Sequence, residues 1–373
     1  MSSAGPDAAT PMIREERLLA LMRDMVDIYS PTGKEEEITR YLADYLLRHD
    51  LPVTLREVAD GRRNIEILDP DTPAEVAFIG HVDTVPAFDL ERFGFSQDGD
   101  RIRGLGSADM KGGCAAMIEA FIAAVEAGRR PPRAALFLVV DEEERGDGTR
   151  ALLDAHRPDW ALIAEPTELR PCLDHYGYLE LEIRAFGTRR HASLSGPEYN
   201  AIFSLLRALL RVGELLESEY PRIVMNIRDL HSSESGFAVP DRCDAAIDLH
   251  TPPAADPALL AERLDELVRT SLTGSAATRH EISFPTSVPG YRLEDQGLLP
   301  DLLRAAFGQR GWPWHPDVFR SASDANLLYP AGCRPVILGP GQLAQAHTRE
   351  ESVAWSQVVD AARLYLDLLM ALA

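Results

Sequence analysis

The chain has no run of about eighteen apolar residues, the length a membrane-spanning helix requires. It has few cysteines, four at positions 114, 172, 243 and 333, scattered with neither pairing nor metal-type spacing. That usage argues against a disulfide framework and fits reduced thiols in a cytoplasm. Positive charge is also scarce: 38 Lys and Arg face 59 Asp and Glu, a formal net charge of -21. Such a balance disfavours phosphate backbones and anionic bilayers, so neither nucleic acid nor a membrane is expected as a partner. Internal repeats and low-complexity tracts are missing, and Met1–Asp7 lacks the basic-then-apolar pattern of an export signal. Residues 1–12 read as a disordered leader.

What is present is an ordinary globular composition, 45% hydrophobic with 26 Gly and 26 Pro, in a chain long enough for two domains. Apolar positions at helical spacing predict helices over 13–29 and 35–49. Strands follow near 63–68 and 75–80, and an irregular hairpin over 87–108. A long helix then runs to about 127, and Ala134–Val140 is a continuous apolar run, a fully buried strand. A helix near 148–156 and a strand over 160–164 continue the alternation of an α/β sheet. The pattern then changes. Strand 179–185, helix 200–216, strands 222–228 and 241–249, helix 257–271 and strand 279–284 give the β-α-β-β-α-β order of a ferredoxin-like unit. The α/β pattern resumes with a helix at 296–308, a strand at 335–338 and a last helix at 351–371. The expectation is a catalytic domain of 13–175 and 287–373, interrupted by an inserted domain of 176–286.

Chemistry concentrates where strands end. Ile79-Gly80-His81-Val82-Asp83-Thr84-Val85-Pro86 delivers a His and an Asp to the carboxyl edge of a buried strand, where open α/β sheets carry their sites. Alone, His-x-Asp is weak. Asp109, the acidic run Asp141-Glu142-Glu143-Glu144, Glu165 and His347 follow, enough oxygen and imidazole donors for two zinc-like ions sharing one carboxylate.

These motifs together resemble the co-catalytic zinc amidohydrolases that include acetylornithine deacetylase, succinyl-diaminopimelate desuccinylase, aminoacylase and the glutamate-releasing carboxypeptidases. The likeness runs from Pro31-Thr32-Gly33 to the last helix. It rests on Gly80–Pro86, Gly104-x-Gly106 with Asp109-Met110-Lys111-Gly112-Gly113, Asp141-Glu142-Glu143 and Glu165-Pro166-Thr167. His191 with Asn200-Ala201-Ile202, Ser323-Asp324-Ala325, and Gly339-Pro340-Gly341 before His347 complete it. The resemblance implies a zinc-peptidase-like α/β catalytic domain with a ferredoxin-like α+β lid and dimerisation domain. It implies two divalent ions, zinc foremost, with cobalt or manganese also suited to the donors. His81 and Glu165 would hold the first, Glu143 and His347 the second, with Asp109 between them. Asp83 would steady the His81 ring, and Glu142 would be the general base. A one-residue shift, with Glu143 as base and Glu144 as ligand, is the alternative, because Arg145 stands where the family has Gly. His191 would reach the site of a neighbouring subunit in a homodimer joined through the lid and donate to the oxyanion.

Positions implied to hold substrate depart from the family. Asp-x-Arg is Asp248-Leu249-His250, the lid Asn is Phe237, and the basic residue before the lid's first glycine is Tyr176. With Asn200 and Gly341, these are the candidate substrate contacts. An arginine fork is not replaced by an imidazole without consequence, so a more apolar or unusual acyl-amine is the expected substrate. The implied activity is hydrolysis of a small N-acyl amino acid or related amide. The alternatives are a metallo-dipeptidase or carboxypeptidase, or a metal-binding dimer without activity. A two-metal phosphoesterase is disfavoured because no basic cluster accompanies the ligands. His175, His231, His280 and His315 read as surface or loop residues, Cys114 as core, and Asp324 as ordering a loop near His347.

Overall fold

The computed structural model describes residues 11–59, 61–69, 71–129, 133–196, 199–234, 236–273 and 279–373, so the leader, apart from Pro11 and Met12, lies outside the described residues. The chain forms two compact units. One comprises Met1–Leu173, Leu293–Phe319 and Ser323–Ala373; the other comprises Asp174–Arg292 with Arg320–Ala322.

In chain order the first unit contains α1 (Glu15–Asp27), α2 (Glu36–Leu47), β1 (Val53–Glu57), β2 (Arg63–Ile67), β3 (Val76–His81), β4 (Ser96–Asp98) and β5 (Arg101–Arg103). It continues with α3 (Gly112–Glu126), β6 (Ala134–Val139), α4 (Asp147–Ala155) and β7 (Trp160–Pro166), and β8 (Cys172–His175) leaves it. The second unit holds β9 (Gly177–Phe186), α5 (Ala201–Glu219), β10 (Val224–Ser232), β11 (Arg242–Thr251), α6 (Pro257–Thr273), β12 (Arg279–Ser283), β13 (Ser287–Val288) and β14 (Tyr291–Arg292). The return to the first unit brings α7 (Leu298–Arg310), β15 (Asp317–Phe319), α8 (Ala325–Leu328), β16 (Arg334–Gly339), β17 (Ser352–Ala354) and α9 (Trp355–Ala371).

The first unit is built on a sheet ordered β1-β2-β6-β3-β7-β16. Its centre is parallel: β3 pairs with β6 and with β7, and β7 with β16. Every residue of β3, β6 and β7 is buried, which is why these strands read as unbroken apolar runs rather than as alternation. Helix α3 lies against them. It is so Ala-rich and enclosed that Gly112–Ala124 are all buried. At its head a Cβ on Gly113 would sit 2.4 Å from the Ala164 carbonyl oxygen, so only glycine lets the helix meet β7 this closely.

The second unit is a sheet ordered β10-β11-β9-β12, the ferredoxin-like arrangement, with β13 also on β9. Strand β9 alternates, turning Leu179, Leu181, Ile183 and Ala185 toward a core shared with Leu205, Leu209 and Val212 of α5 and Leu260, Leu264 and Val268 of α6. Strand β10, at the edge, carries no buried residue. Among the described residues no helix is long and apolar enough to cross a membrane.

Several features depart from the sequence reading, among them three that follow. β1 was not foreseen, because an edge strand with one half-buried face (Val-Thr-Leu-Arg-Glu) shows no apolar periodicity. The last helix starts at Trp355 rather than 351, since Ser352–Ala354 pairs with β5. His175, read as surface or loop, is fully buried. Its ring stacks on Tyr291 with centroids 5.3 Å apart, and Nδ1–H donates to the Tyr176 carbonyl at 2.6 Å.

Burial holds the His175 imidazole down, at about 4 instead of 6.5. Below pH 6.5 the unfolded chain binds a proton there that the folded chain refuses. Its contribution is therefore intact above 6.5 and lost as pH falls toward 4, about 3 kcal/mol in all. His175→Asn keeps a donor but does not titrate. The expected outcome is lower stability at pH 7 and a shallower loss between pH 7 and 4.5 than the parent shows, read from denaturant unfolding at each pH. Parallel acid profiles would refute this assignment.

Candidate metal centre

Four neighbouring parallel strands, β6, β3, β7 and β16, end along one edge of the first sheet. Ile79 of β3 is opposite Ile163 of β7, so two residues further on, His81 and Glu165 emerge side by side. On the other flank Val139 of β6 is opposite His81, and the chain runs on into Asp141–Glu144. β16 ends at Gly339 and its loop carries His347, a non-glycine residue at φ 58°. Asp109 comes from the turn Ser107–Lys111 at the head of α3, with a cis Asp109–Met110 peptide.

These side chains form two triads with one member in common. His81, Asp109 and Glu165 make the first, all buried; Asp109, Glu143 and His347 make the second, and in each the donor atoms lie within 4.8 Å of one another. Asp109 faces both ways: Oδ1 is 3.1 Å from His81 Nε2, and Oδ2 is 3.5 Å from His347 Nε2. His347 Nε2 also lies 2.9 Å from Glu143, and His81 Nε2 is 3.6 Å from Glu165. Glu142 extends beside the first triad, 3.9 Å from His81 Nε2, while Glu144 is exposed. The unshifted register is thus the one in which the acidic run meets the histidines.

Supporting contacts fix this geometry. His81 Nδ1–H donates to the Asp83 carbonyl at 3.1 Å, so Nε2 is the ring nitrogen that faces the carboxylates, donating to Asp109 while the ring is protonated and offering its lone pair to a cation once that proton is lost. The Asp83 carboxylate, 3.6 Å from the same nitrogen, does more than steady the ring. It accepts the backbone N–H of Glu142 (3.2 Å), that of Glu143 (3.1 Å) and the Thr32 hydroxyl (2.9 Å). Asp141, at φ 66°, accepts from Arg62 at 2.5 Å and from the Asp147 N–H, which shapes the turn bearing the two glutamates. Lys111 turns away, its Nζ donating to the Met25 and Ile28 carbonyls. Asp324 is buried and acts electrostatically on Glu142, with Asp83 and Asp141 as further acidic neighbours. Cys114 is buried beneath His81, donating to its carbonyl.

One supporting residue went unread in the sequence. The buried Glu351 accepts from the backbone N–H groups of Gly106 (2.8 Å), Ala108 (2.9 Å) and Asp109 (3.1 Å). Its only signal is the second acid of Glu350-Glu351, four residues after His347, in a segment read as the start of the last helix.

The electrostatics call for cations. Burial, then like-charged neighbours, pushes Glu142 and Glu165 well above the usual carboxylate range, and burial also raises Glu143. Asp109 would also rise by burial, but His81 and His347 hold it below its ordinary value. His347 is lifted to about 9 by its hydrogen bond to Glu143. Of the nearby basic side chains, Arg62 is taken by Asp141 and Lys111 by carbonyls. Buried carboxylates and imidazole nitrogens converging around one shared aspartate therefore fit two divalent ions.

Of the remaining candidates, all but Gly341 lie in the second unit. His191 is exposed on a segment bridged to Ala238, with the Ala192 N–H donating to the Phe237 carbonyl at 3.0 Å, so His191 and Phe237 are presented together. The Ser193 N–H donates to His191 Nδ1, which leaves Nε2–H as the outward donor. Phe237 is 93% exposed. Asn200 caps α5, its Oδ1 accepting from the Ile202 and Phe203 N–H groups, so its carbonyl oxygen is already engaged. Tyr176 is buried. His250 is half-buried against the Tyr178 ring, with burial lowering its pKa. In the first unit Gly341 has φ 96° and donates to Gln357.

Comparison with known proteins agrees with this geometry. A family model described as Peptidase family M20/M25/M40 matches residues 77–371. An acetylornithine deacetylase from Edwardsiella ictaluri is 29% identical over 358 residues, covering 90% of each chain. A protein named "Probable carboxypeptidase" from Aspergillus terreus is 27% identical over 408 residues, covering 99% of this chain and 90% of that one. A tripeptidase from Staphylococcus aureus superposes with TM-score 0.82 at 21% identity, over 97% and 99% of the two chains, a likeness of fold.

Stripped of metal and dialysed against Zn(II) or Co(II), the protein is expected to retain two ions per chain by elemental analysis. His347→Ala should retain one, and Asp109→Ala fewer than the parent at both sites. Two ions retained by His347→Ala would contradict the shared-aspartate arrangement.

Proposed function

Because the chain belongs to peptidase family M20/M25/M40 and is a metal-dependent amidohydrolase, we propose that it removes the acyl group from a small N-acyl amino acid or related N-acyl amine. The observation that carries this reading is the pair of triads sharing Asp109, with Glu142 beside them. His81, Asp109 and Glu165 would hold one ion and Asp109, Glu143 and His347 the other. Zinc is the proposed metal, with cobalt and manganese suited to the same donors. When bound, such a pair supplies Lewis-acid polarisation of an amide oxygen and lowers the pKa of water.

The residues themselves do the rest. Glu142, its backbone held by Asp83, takes the proton of the attacking water and returns it to the departing amine. Burial raises its proton affinity, which suits a group that must hold that proton between the two steps. His191, with Nε2–H directed outward, is the proposed donor to the tetrahedral oxyanion, contributed by a second copy of the chain.

The second unit is the proposed lid and dimerisation domain. Along α5, Phe203, Leu206 and Leu210 recur at i, i+3 and i+7 and are exposed; the edge strand β10 adds exposed Val224, Ile227 and Leu230. Four buried free cysteines accord with the proposed cytoplasmic setting.

Substrate choice is proposed to follow from Phe237 and His250. A neutral imidazole and an exposed phenyl ring offer no bidentate grip on a carboxylate. The acyl-amine is therefore more apolar than an acetylated amino acid. The peptidase reading stays as the second one, favoured by the relative named as a carboxypeptidase.

Amine release from N-acetyl, N-succinyl and longer N-acyl amino acids and from dipeptides separates the two. Metal-dependent turnover of the acyl-amines is expected, falling about a hundredfold to ten-thousandfold in Glu142→Ala. Phe237→Asn with His250→Arg should raise turnover of N-acetyl amino acids. Undiminished turnover in Glu142→Ala would refute the assigned base, and preferential cleavage of dipeptides would establish the second reading. Sedimentation should report a dimer that Leu210→Glu shifts toward monomer; a monomeric parent would refute the proposed interface.

A further inference from the structure

The two triads are supported differently. His81 and Glu165 stand on β3 and β7, which pair directly within the sheet, so ladder hydrogen bonds fix their separation. Asp109 and His347 stand on loops, 104–109 and 347–351, far apart in the chain. Both oxygens of one carboxylate join these loops. Glu351 Oε2 accepts from the Gly106 N–H at 2.8 Å, and Oε1 accepts from the N–H groups of Ala108 at 2.9 Å and of Asp109 at 3.1 Å. Its backbone carbonyl also accepts from the Gly104 N–H at 3.3 Å. The side chain is 3% exposed, too enclosed for water to replace those acceptors. The three N–H groups converge on one carboxyl group, and Glu351 lies only four residues beyond His347.

We propose that Glu351 is the positioning residue of the second cation site, setting the span between Asp109 and His347 by holding the Asp109 loop against its own. This rests on the two-cation reading above. Glu351 touches neither ion nor substrate. It acts by preorganising a ligand pair that no strand of the first sheet carries; the pairing of Ser352–Ala354 with β5 brings only the bases of the two loops together. Groups that orient metal ligands in this way typically change affinity by about ten- to a hundredfold when altered. Glu351→Gln preserves shape and size but sets an amide N–H₂ against at least one backbone N–H, donor against donor. Glu351→Asp keeps the charge one methylene short of its partners.

The test is calorimetric titration of metal-free wild type, Glu351→Gln and Glu351→Asp with Zn(II), with thermal unfolding of each metal-free protein alongside. For the parent, two binding events are expected. In Glu351→Gln the weaker event should lose at least tenfold in affinity while the tighter one stays within about twofold. Glu351→Asp should fall between, and serves as the readout if the Gln variant does not fold. A merely structural role would lower the unfolding temperature and weaken both events together, and that result would overturn the proposal. So would two unchanged affinities. A parent that binds fewer than two ions would instead bring down the two-cation reading, and this inference with it.

Discussion

Holding several carboxylates and two imidazoles within a few ångströms, largely out of water, is the constraint on which the first unit depends. Such a cluster is unfavourable as it stands: burial and mutual repulsion drive Glu142, Glu143 and Glu165 toward protonation, while the histidines, with a hydrogen bond from Glu165, keep Asp109 ionised. The surrounding structure resists the cluster's tendency to spread. Asp83 ties down two glutamate N–H groups, Glu351 ties down the Asp109 loop, and Arg62 and Lys111 are committed to other acceptors. The repulsion that remains is the preference for divalent ions.

The parallel sheet supplies the ruler. Adjacent strands place residues at fixed spacing along a common edge, so His81 and Glu165 need no further device than register. Loops supply the rest, and each loop-borne ligand has a dedicated acceptor or a left-handed backbone to hold it. Ladder where the sheet reaches, carboxylate anchors where it does not: this division explains why so many acidic residues near the centre never face it.

Much of this was legible in the residues. Val76–Gly80, Ala134–Val140 and Trp160–Ala164 announce themselves as enclosed strands because parallel strands bury both faces, and the ligand types at their ends follow. The β-α-β-β-α-β order was likewise readable from the alternation at 179–185. What escaped shares a cause. β1 lies at a sheet edge, where packing imposes no periodicity. Glu351 and His175 owe their roles to partners far along the chain or to burial that a single polar letter does not disclose. Asp83 was read as a ring-orienting residue, and its larger share, the two N–H groups of the glutamate turn, depends on a backbone path no motif encodes. Asn200 shows the converse: a residue assigned by resemblance to substrate spends its carbonyl oxygen on a helix cap.

The order of synthesis gives the position of β16 a consequence of its own. β7 is made before the second unit and β16 after it, yet the two pair side by side. During translation β7 must wait, one edge unsatisfied, for more than a hundred residues to emerge. An open parallel strand edge is an invitation to pair wrongly. His347 and Glu351 leave the ribosome later still. A chain interrupted between Glu165 and His347 carries His81, Asp109, Glu142, Glu143 and Glu165 but has the residues of only one of the two triads, so the second is completed late in synthesis.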